Sequence, residues 1–397
     1  MIGQPTINYG NPVDNSNDNS LPFMLSNNNF DVWLYDSRGT NANNRNISDE
    51  VNLKTAQKFW DFSLDDGALI DLPLFIDFVL AKTNSRKLVY VGYSESTFYM
   101  FALLSTAPEY ADKMASIICM APVTYVAHIR GLTLPLLAPL GGLVPEFIHY
   151  SFVPQPAIDI VDTYLRNLCR VQSMSNLICA PLINGIGGKG SGQHAPSFFT
   201  EFFKSTSIKV IKHFLQLFVG KRFGMYDHGA AENLKKYGQP HPPAYDLSKV
   251  RSDRIILARG YSDFLSTRED QERLIKELGV KPYLDLAIPT YNHFDFVDGK
   301  DLIRNVNAPA VVATFQLMYA DGPSVLKTPL SDADLNPSRL VVPIVIANDS
   351  SVGQDTEQPH QDSNPGLFKG ATNFVRAIGS GRDEILKGFK TFTHLGG

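Results

Sequence analysis

The 397-residue chain is 44% hydrophobic and 19% charged, the balance of a globular protein with core material for one large α/β domain with insertions or for two domains. A net charge of −4 creates no field that would gather nucleic acid, and no basic stripe with interleaved aromatics is present. No apolar run reaches the ~18 residues of a membrane span, and Met1-Ile-Gly-Gln-Pro has neither the charged nor the apolar region of an export signal, so neither is expected in the chain as it stands.

Residues 1–20 are rich in Asn, Asp, Gly and Pro and read as a loop. Phe30–Asp36 is a short apolar strand left through the turn Ser37-Arg-Gly39. Leu69, Leu72, Phe75, Ile76 and Val79 recur at helical spacing, which predicts a helix over 65–81 with Pro73 interrupting it. Lys87–Tyr93 is a continuous apolar run of the kind buried on both faces in a parallel sheet, and Glu95–Leu104 is the helix after it. Ala115–Val123, Arg254–Ala258 and Tyr283–Ile288 supply further strands, with a helix at Gln271–Leu278 between the last two. Strands alternating with helices imply an α/β protein with a mostly parallel sheet and right-handed crossovers.

Residues 124–245 break that rhythm with helical apolar stretches, a glycine-rich turn at Gly185–Gly192, and Pro240-His-Pro-Pro243. An insertion of this size can form a helical cap. The expected organisation is a core first part at 1–123, the cap at 124–245, a core second part at 246–321 and an extension at 322–397. Pro, Ser and Asp dominate the extension, which reads as largely disordered, and Gly379 and Gly381 oppose a long helix over Leu367–Phe392.

The three cysteines lack zinc-ligand spacing. Cys119, within an apolar run, reads as a core thiol. Cys169 and Cys179 are close enough to pair in an oxidising compartment, or to be two reduced buried thiols. Asn46-Ile-Ser and Asn348-Asp-Ser match the glycosylation acceptor pattern.

The chemistry centres on Gly92-Tyr-Ser94-Glu-Ser96, where a strand turns sharply into a helix. A serine on such a nucleophile elbow presents its hydroxyl at the sheet's carboxyl edge, and the N–H of the next residue, Glu95, faces the oxyanion. Hydrolases of this kind place an acid and then a histidine on turns after later strands. Asp263 follows the strand ending at Ala258, and His293 follows the strand ending at Ile288, in that order. Asp263 could also be a turn or helix-cap aspartate, His293 a surface or satisfied core histidine, and Asp295 merely its neighbour or itself the turn residue. A Glu95 carboxylate turned inward would oppose an oxyanion.

Several blocks, in order, resemble the acid lipase family of gastric and lysosomal lipases: Phe30-Asp-Val-Trp-Leu with Ser37-Arg-Gly, Phe59-Trp-Asp-Phe-Ser, Leu88-Val-Tyr-Val-Gly-Tyr-Ser94, Tyr226-Asp-His-Gly, Gly260-Tyr-Ser-Asp263-Phe-Leu and Ile288-Pro-Thr-Tyr-Asn-His293-Phe-Asp-Phe. The resemblance implies an α/β-hydrolase fold with a helical cap, and hydrolysis of triacylglycerol or cholesteryl ester at a lipid–water interface without metal or organic cofactor. It also implies Ser94, Asp263 and His293 as nucleophile, acid and base, a Cys169–Cys179 disulfide in the cap, and a secreted or lysosomal location.

Three positions depart from the family pattern. Ser96 stands where the family has glycine, Tyr93 where it has histidine, and the match begins after the family's first strands and the His-Gly loop that completes the oxyanion hole. The sheet is therefore expected to be incomplete at its N-terminal strands. The alternative is a catalytically impaired, lipid-binding relative, or a fragment lacking half of that hole.

Overall fold

A computed structural model describes residues 2–3, 21–35, 37–39, 60–133, 163–164, 167–194, 206–299 and 301–319. Asn46, Asn348, the extension and the helix considered over 367–392 lie outside the described residues.

Ile2–Gly3 (β1), Leu34–Tyr35 (β2), Leu88–Tyr93 (β3), Met114–Met120 (β4), Ile255–Gly260 (β5) and Leu284–Ile288 (β6) form one parallel sheet in the order β2-β1-β3-β4-β5-β6. Every residue of β4 and β5 is buried, as the continuous apolar runs require of strands covered on both faces. Side chains alternate between two cores. Tyr90, Ile117, Cys119 and Leu257 face one, while Val91, Tyr93, Ile118, Met120, Ile256 and Ala258 face the other.

Helices supply the other half of each core. Leu21–Asn27 (α1) packs Leu21 and Leu25 into the second core, and Leu72–Thr83 (α2) packs Leu72 and Ile76 into the first. Glu95–Thr106 (α3), Ile208–Gly220 (α4) and Arg268–Glu277 (α5) add Phe98, Leu217 and Leu274 to the first core. Ala308–Tyr319 (α6) covers the second core with Ala310, Val311 and Leu317, and ties itself to β4 through Thr314 Oγ1 and Ser116 Oγ at 2.8 Å. Among the described residues no helix is long and apolar enough to cross a membrane.

Three expectations need correction. The segment read as a loop at 1–20 contributes the two-residue strand β1, which lies between β2 and β3. The pairing uses backbone groups alone, so side-chain composition carries no signal for it. Of the strand expected over Phe30–Asp36, the described residues 30–35 are extended into strand only at Leu34–Tyr35. The helix expected over 65–81 is interrupted by a π turn at Gly67–Asp71, in which the Leu72 N–H donates to the Gly67 carbonyl five residues back. Pro73, with no N–H to offer, then occupies the first turn of α2, where none is needed.

Candidate active site

Ser94 joins β3 to α3 with φ 53° and ψ −119°, a left-handed conformation that a non-glycine residue adopts only where its surroundings enforce it. The enforcement is visible. The Ser94 N–H donates to the Met120 carbonyl on β4 at 3.0 Å, and the Ser94 carbonyl accepts from the Thr97 N–H at 2.9 Å and the Thr97 hydroxyl at 2.6 Å. The Glu95 N–H opens the first turn of α3, where no intrahelical carbonyl can satisfy it, so it is available to a ligand oxygen. Ser96 is accommodated: it is buried, and its carbonyl accepts the Tyr90 hydroxyl at 2.7 Å.

The turns after β5 and β6 bring the other two residues to Ser94. His293 Nε2 lies 2.8 Å from Ser94 Oγ, and His293 Nδ1 lies 2.8 Å from Asp263 Oδ2. Asp263 and His293 are almost fully buried and Ser94 is half-buried, so the relay opens towards solvent only at the serine.

Asp263 divides its contacts between its two oxygens. Its Oδ1 accepts the Leu265 and Ser266 N–H groups, each at 2.8 Å, which fixes the turn and leaves Oδ2 for the imidazole. Asp295 is the turn residue: its Oδ2 accepts the Asn292 N–H at 2.8 Å, while Asn292 Oδ1 accepts the Phe294 N–H at 2.9 Å.

Two contributors were not found from sequence. The Tyr93 hydroxyl donates to the His293 carbonyl at 2.8 Å, linking the residue before the nucleophile to the histidine 200 positions later. This gives the tyrosine at that position a physical role. Removing the hydroxyl in Tyr93→Phe leaves a buried carbonyl without its donor, and steady-state kinetics should show kcat down about tenfold with KM unchanged, tenfold being ~1.4 kcal/mol in the barrier. Unchanged kcat would show that the bond does not position the imidazole. The second contributor is the glycine-rich turn, whose Gly187 carbonyl accepts the His293 N–H at 3.0 Å. Neither contact is local in sequence, and neither partner carries a motif that could have announced it.

Glu95 is distinctive electrostatically. Burial pushes its carboxyl up from 4.5 to about 7, opposed by the hydrogen bond that the Tyr99 hydroxyl donates to it. Tyr99 lies one turn further along α3, so the carboxyl is held against its own helix.

Cys169 and Cys179 form a disulfide with a Cα–Cα distance of 5.9 Å, and Cys119 is a free buried thiol. Residues 17–300 match the family model described as alpha/beta hydrolase fold. Human lipase member N is 32% identical over 303 residues, covering 73% of this chain and 72% of its own. Bovine gastric triacylglycerol lipase is 30% identical over 315 residues, with 77% and 76% covered. Human gastric triacylglycerol lipase is 31% identical over 304 residues, with 75% and 74% covered. With a parallel sheet, an elbow serine and this degree of likeness, the chain belongs to the acid lipase family of α/β-hydrolases.

Proposed function

We propose that this chain hydrolyses neutral lipid esters, triacylglycerol or cholesteryl ester, by acyl transfer through Ser94. The observation that carries this reading is the relay of two 2.8 Å contacts from Ser94 through His293 to Asp263, assembled at the carboxyl ends of three strands. His293 Nε2 takes the Ser94 proton as Oγ bonds to the ester carbon, and the carbonyl oxygen becomes an oxyanion facing the Glu95 N–H. Collapse of that intermediate breaks the bond to the alcohol, which leaves with the proton from Nε2. Water then repeats the sequence on the acyl-serine: His293 takes its proton, and Ser94 is restored as the fatty acid departs. Asp263 holds the imidazole with Nδ1–H towards itself and stabilises its charged form.

The substrate class is supported by the gastric triacylglycerol lipases among the relatives. Residues 124–245 are read as the cap over Ser94, and a secreted or lysosomal location accords with the Cys169–Cys179 disulfide, which persists where the milieu is oxidising. The test is fatty-acid release from an emulsified triacylglycerol or cholesteryl ester by the chain and by Ser94→Ala. Equal rates would leave the second reading, a silent lipid-binding relative, which the Glu95 carboxyl favours.

Glu95 imposes a pH dependence on this chemistry. Below about 7 its carboxyl is neutral and does not oppose the oxyanion; above that it ionises and does. Glu95→Gln should therefore match the parent chain in acid and exceed it about fivefold at pH 8, on the order of 1 kcal/mol, flattening the alkaline limb of the rate profile. Parallel profiles would remove Glu95 from the account. Stability follows the same sign. Unfolded Glu95 releases its proton near 4.5 and folded Glu95 near 7, so this contribution is complete below 4.5 and is lost as pH rises through 7.

A further inference from the structure

The glycine-rich turn noted in the sequence has no part in the chemistry above, yet it touches both loops that carry it. Ala180–Gly187 is a helix that begins at the disulfide cysteine Cys179 and ends at this turn. The Gly187 carbonyl accepts two N–H groups, from His293 at 3.0 Å and from Phe264 at 3.4 Å, one on each loop. Gly188 forms an antiparallel bridge with Asp263 itself. Phe294, next to the histidine, is buried in a cluster with Cys169, Cys179 and Ile183. The same helix end is tied to the stretch after β4, where the Gly185 carbonyl accepts the Leu132 N–H at 2.7 Å.

Only glycine fits here. A Cβ on Gly187 would lie 2.1 Å from the Phe294 ring. Gly188 has φ +114°, and a Cβ there would lie 1.9 Å from the Ser262 carbonyl oxygen. Backbone, unlike a side-chain tip, cannot swing aside. A methyl group at 188 must push apart the turn and the loop of Asp263.

We propose that Gly187-Gly188, held by the disulfide-stapled helix before it, is a positioning clamp that fixes Asp263 and His293 relative to each other, so that this segment sets the rate of the chemical step as well as any access to it. The proposal rests on the catalytic reading of Ser94, His293 and Asp263. A displacement of about 1 Å at a catalytic group can cost ~100-fold in rate, which scales the effect.

The experiment compares the full chain with Gly188→Ala, with Gly238→Ala, and with the double variant Cys169→Ala/Cys179→Ala. Gly238 also has positive φ, +72°, but a Cβ there meets nothing, so it reports the cost of backbone strain alone. Gly188→Ala is expected to lose ~100-fold in kcat with KM within about threefold, and to lose the low-field imidazole N–H proton resonance of His293 while circular dichroism remains folded. The double cysteine variant should show the same pattern weakened, and it stands in if Gly188→Ala does not fold. Gly238→Ala should keep parental kcat. Three outcomes overturn the clamp: parental kcat in both the Gly188 and cysteine variants, a rise in KM with kcat unchanged, or an equal loss in Gly238→Ala. Labelling of Ser94 by a fluorophosphonate separates the two claims. An unlabelled parent chain overturns the catalytic reading, with the imidazole resonance still testing the clamp, whereas equal labelling of parent and Gly188→Ala overturns the clamp alone.

Discussion

Ser94→Ala should lower the rate of ester hydrolysis about 10⁶-fold, because no other group in the site can form the acyl bond and serine-hydrolase triads lose about that much when the nucleophile is removed. The hydroxyl lies 2.8 Å from His293 Nε2, so its removal leaves the nitrogen of an almost fully buried imidazole facing the half-buried position 94, where a water can take the place of the hydroxyl. The fold should be indifferent. The contacts that hold the elbow in its left-handed conformation, Ser94 N–H to Met120 and Ser94 carbonyl to Thr97, are all backbone at position 94 and survive the substitution. Fatty-acid titration together with a thermal melt checks both halves. A rate within tenfold of the parent chain would remove Ser94 from the mechanism and leave the silent lipid-binding reading.

Asp263→Asn should cost about 10⁴ in kcat with little loss of stability. An asparagine oxygen can still accept the Leu265 and Ser266 N–H groups that Asp263 Oδ1 now receives at 2.8 Å, so the turn persists. Its NH2 group then faces His293 Nδ1 and forces the proton onto Nε2, the nitrogen that must accept from Ser94. Geometry is kept and the tautomer is wrong. Asp263→Ala should differ by also destabilising the protein, since two turn N–H groups lose their acceptor at about 1–3 kcal/mol for each such group left buried. Comparing melting temperatures with kcat across the two variants separates the acid's role from the turn's. Equal kcat in Asp263→Asn and the parent would remove the carboxylate from the mechanism.

Much of this was legible in the chain because it depends on short-range pattern. The strands at 88–93, 114–120 and 255–260 advertise themselves as apolar runs, and the order serine, aspartate, histidine on successive turns picked out three residues that the structure brings within 2.8 Å of one another in series. The ambiguity over Asp263 arose because a turn aspartate and a catalytic one look the same in sequence; here one oxygen of the carboxylate holds the turn and the other meets His293 Nδ1. What escaped is long-range or carried by backbone. The Tyr93 hydroxyl finds a main-chain carbonyl that no residue type marks. Gly185–Gly192 reads as a glycine-rich turn, and only its proximity to Ser262 and Phe294 shows that the missing side chains make room for the loops of Asp263 and His293. Helix α6 passed unnoticed because its apolar residues lie on more than one side, leaving no narrow stripe.

The small strand β1 gives the sheet an uneven width of cooperation. Among the described residues Ile2 and Gly3 alone connect β2 to β3, whereas β3 and β4 pair from Leu88 with Met114 to Tyr93 with Met120, and β5 and β6 pair from Ile256 with Leu284 to Gly260 with Ile288. A sub-global opening that begins at β1 has few ladder bonds to break, while one between β3 and β6 must break many. Ser94, Asp263 and His293 all stand on the broadly paired side. An opening confined to the β1 flank would therefore leave the contacts of Ser94, His293 and Asp263 in place.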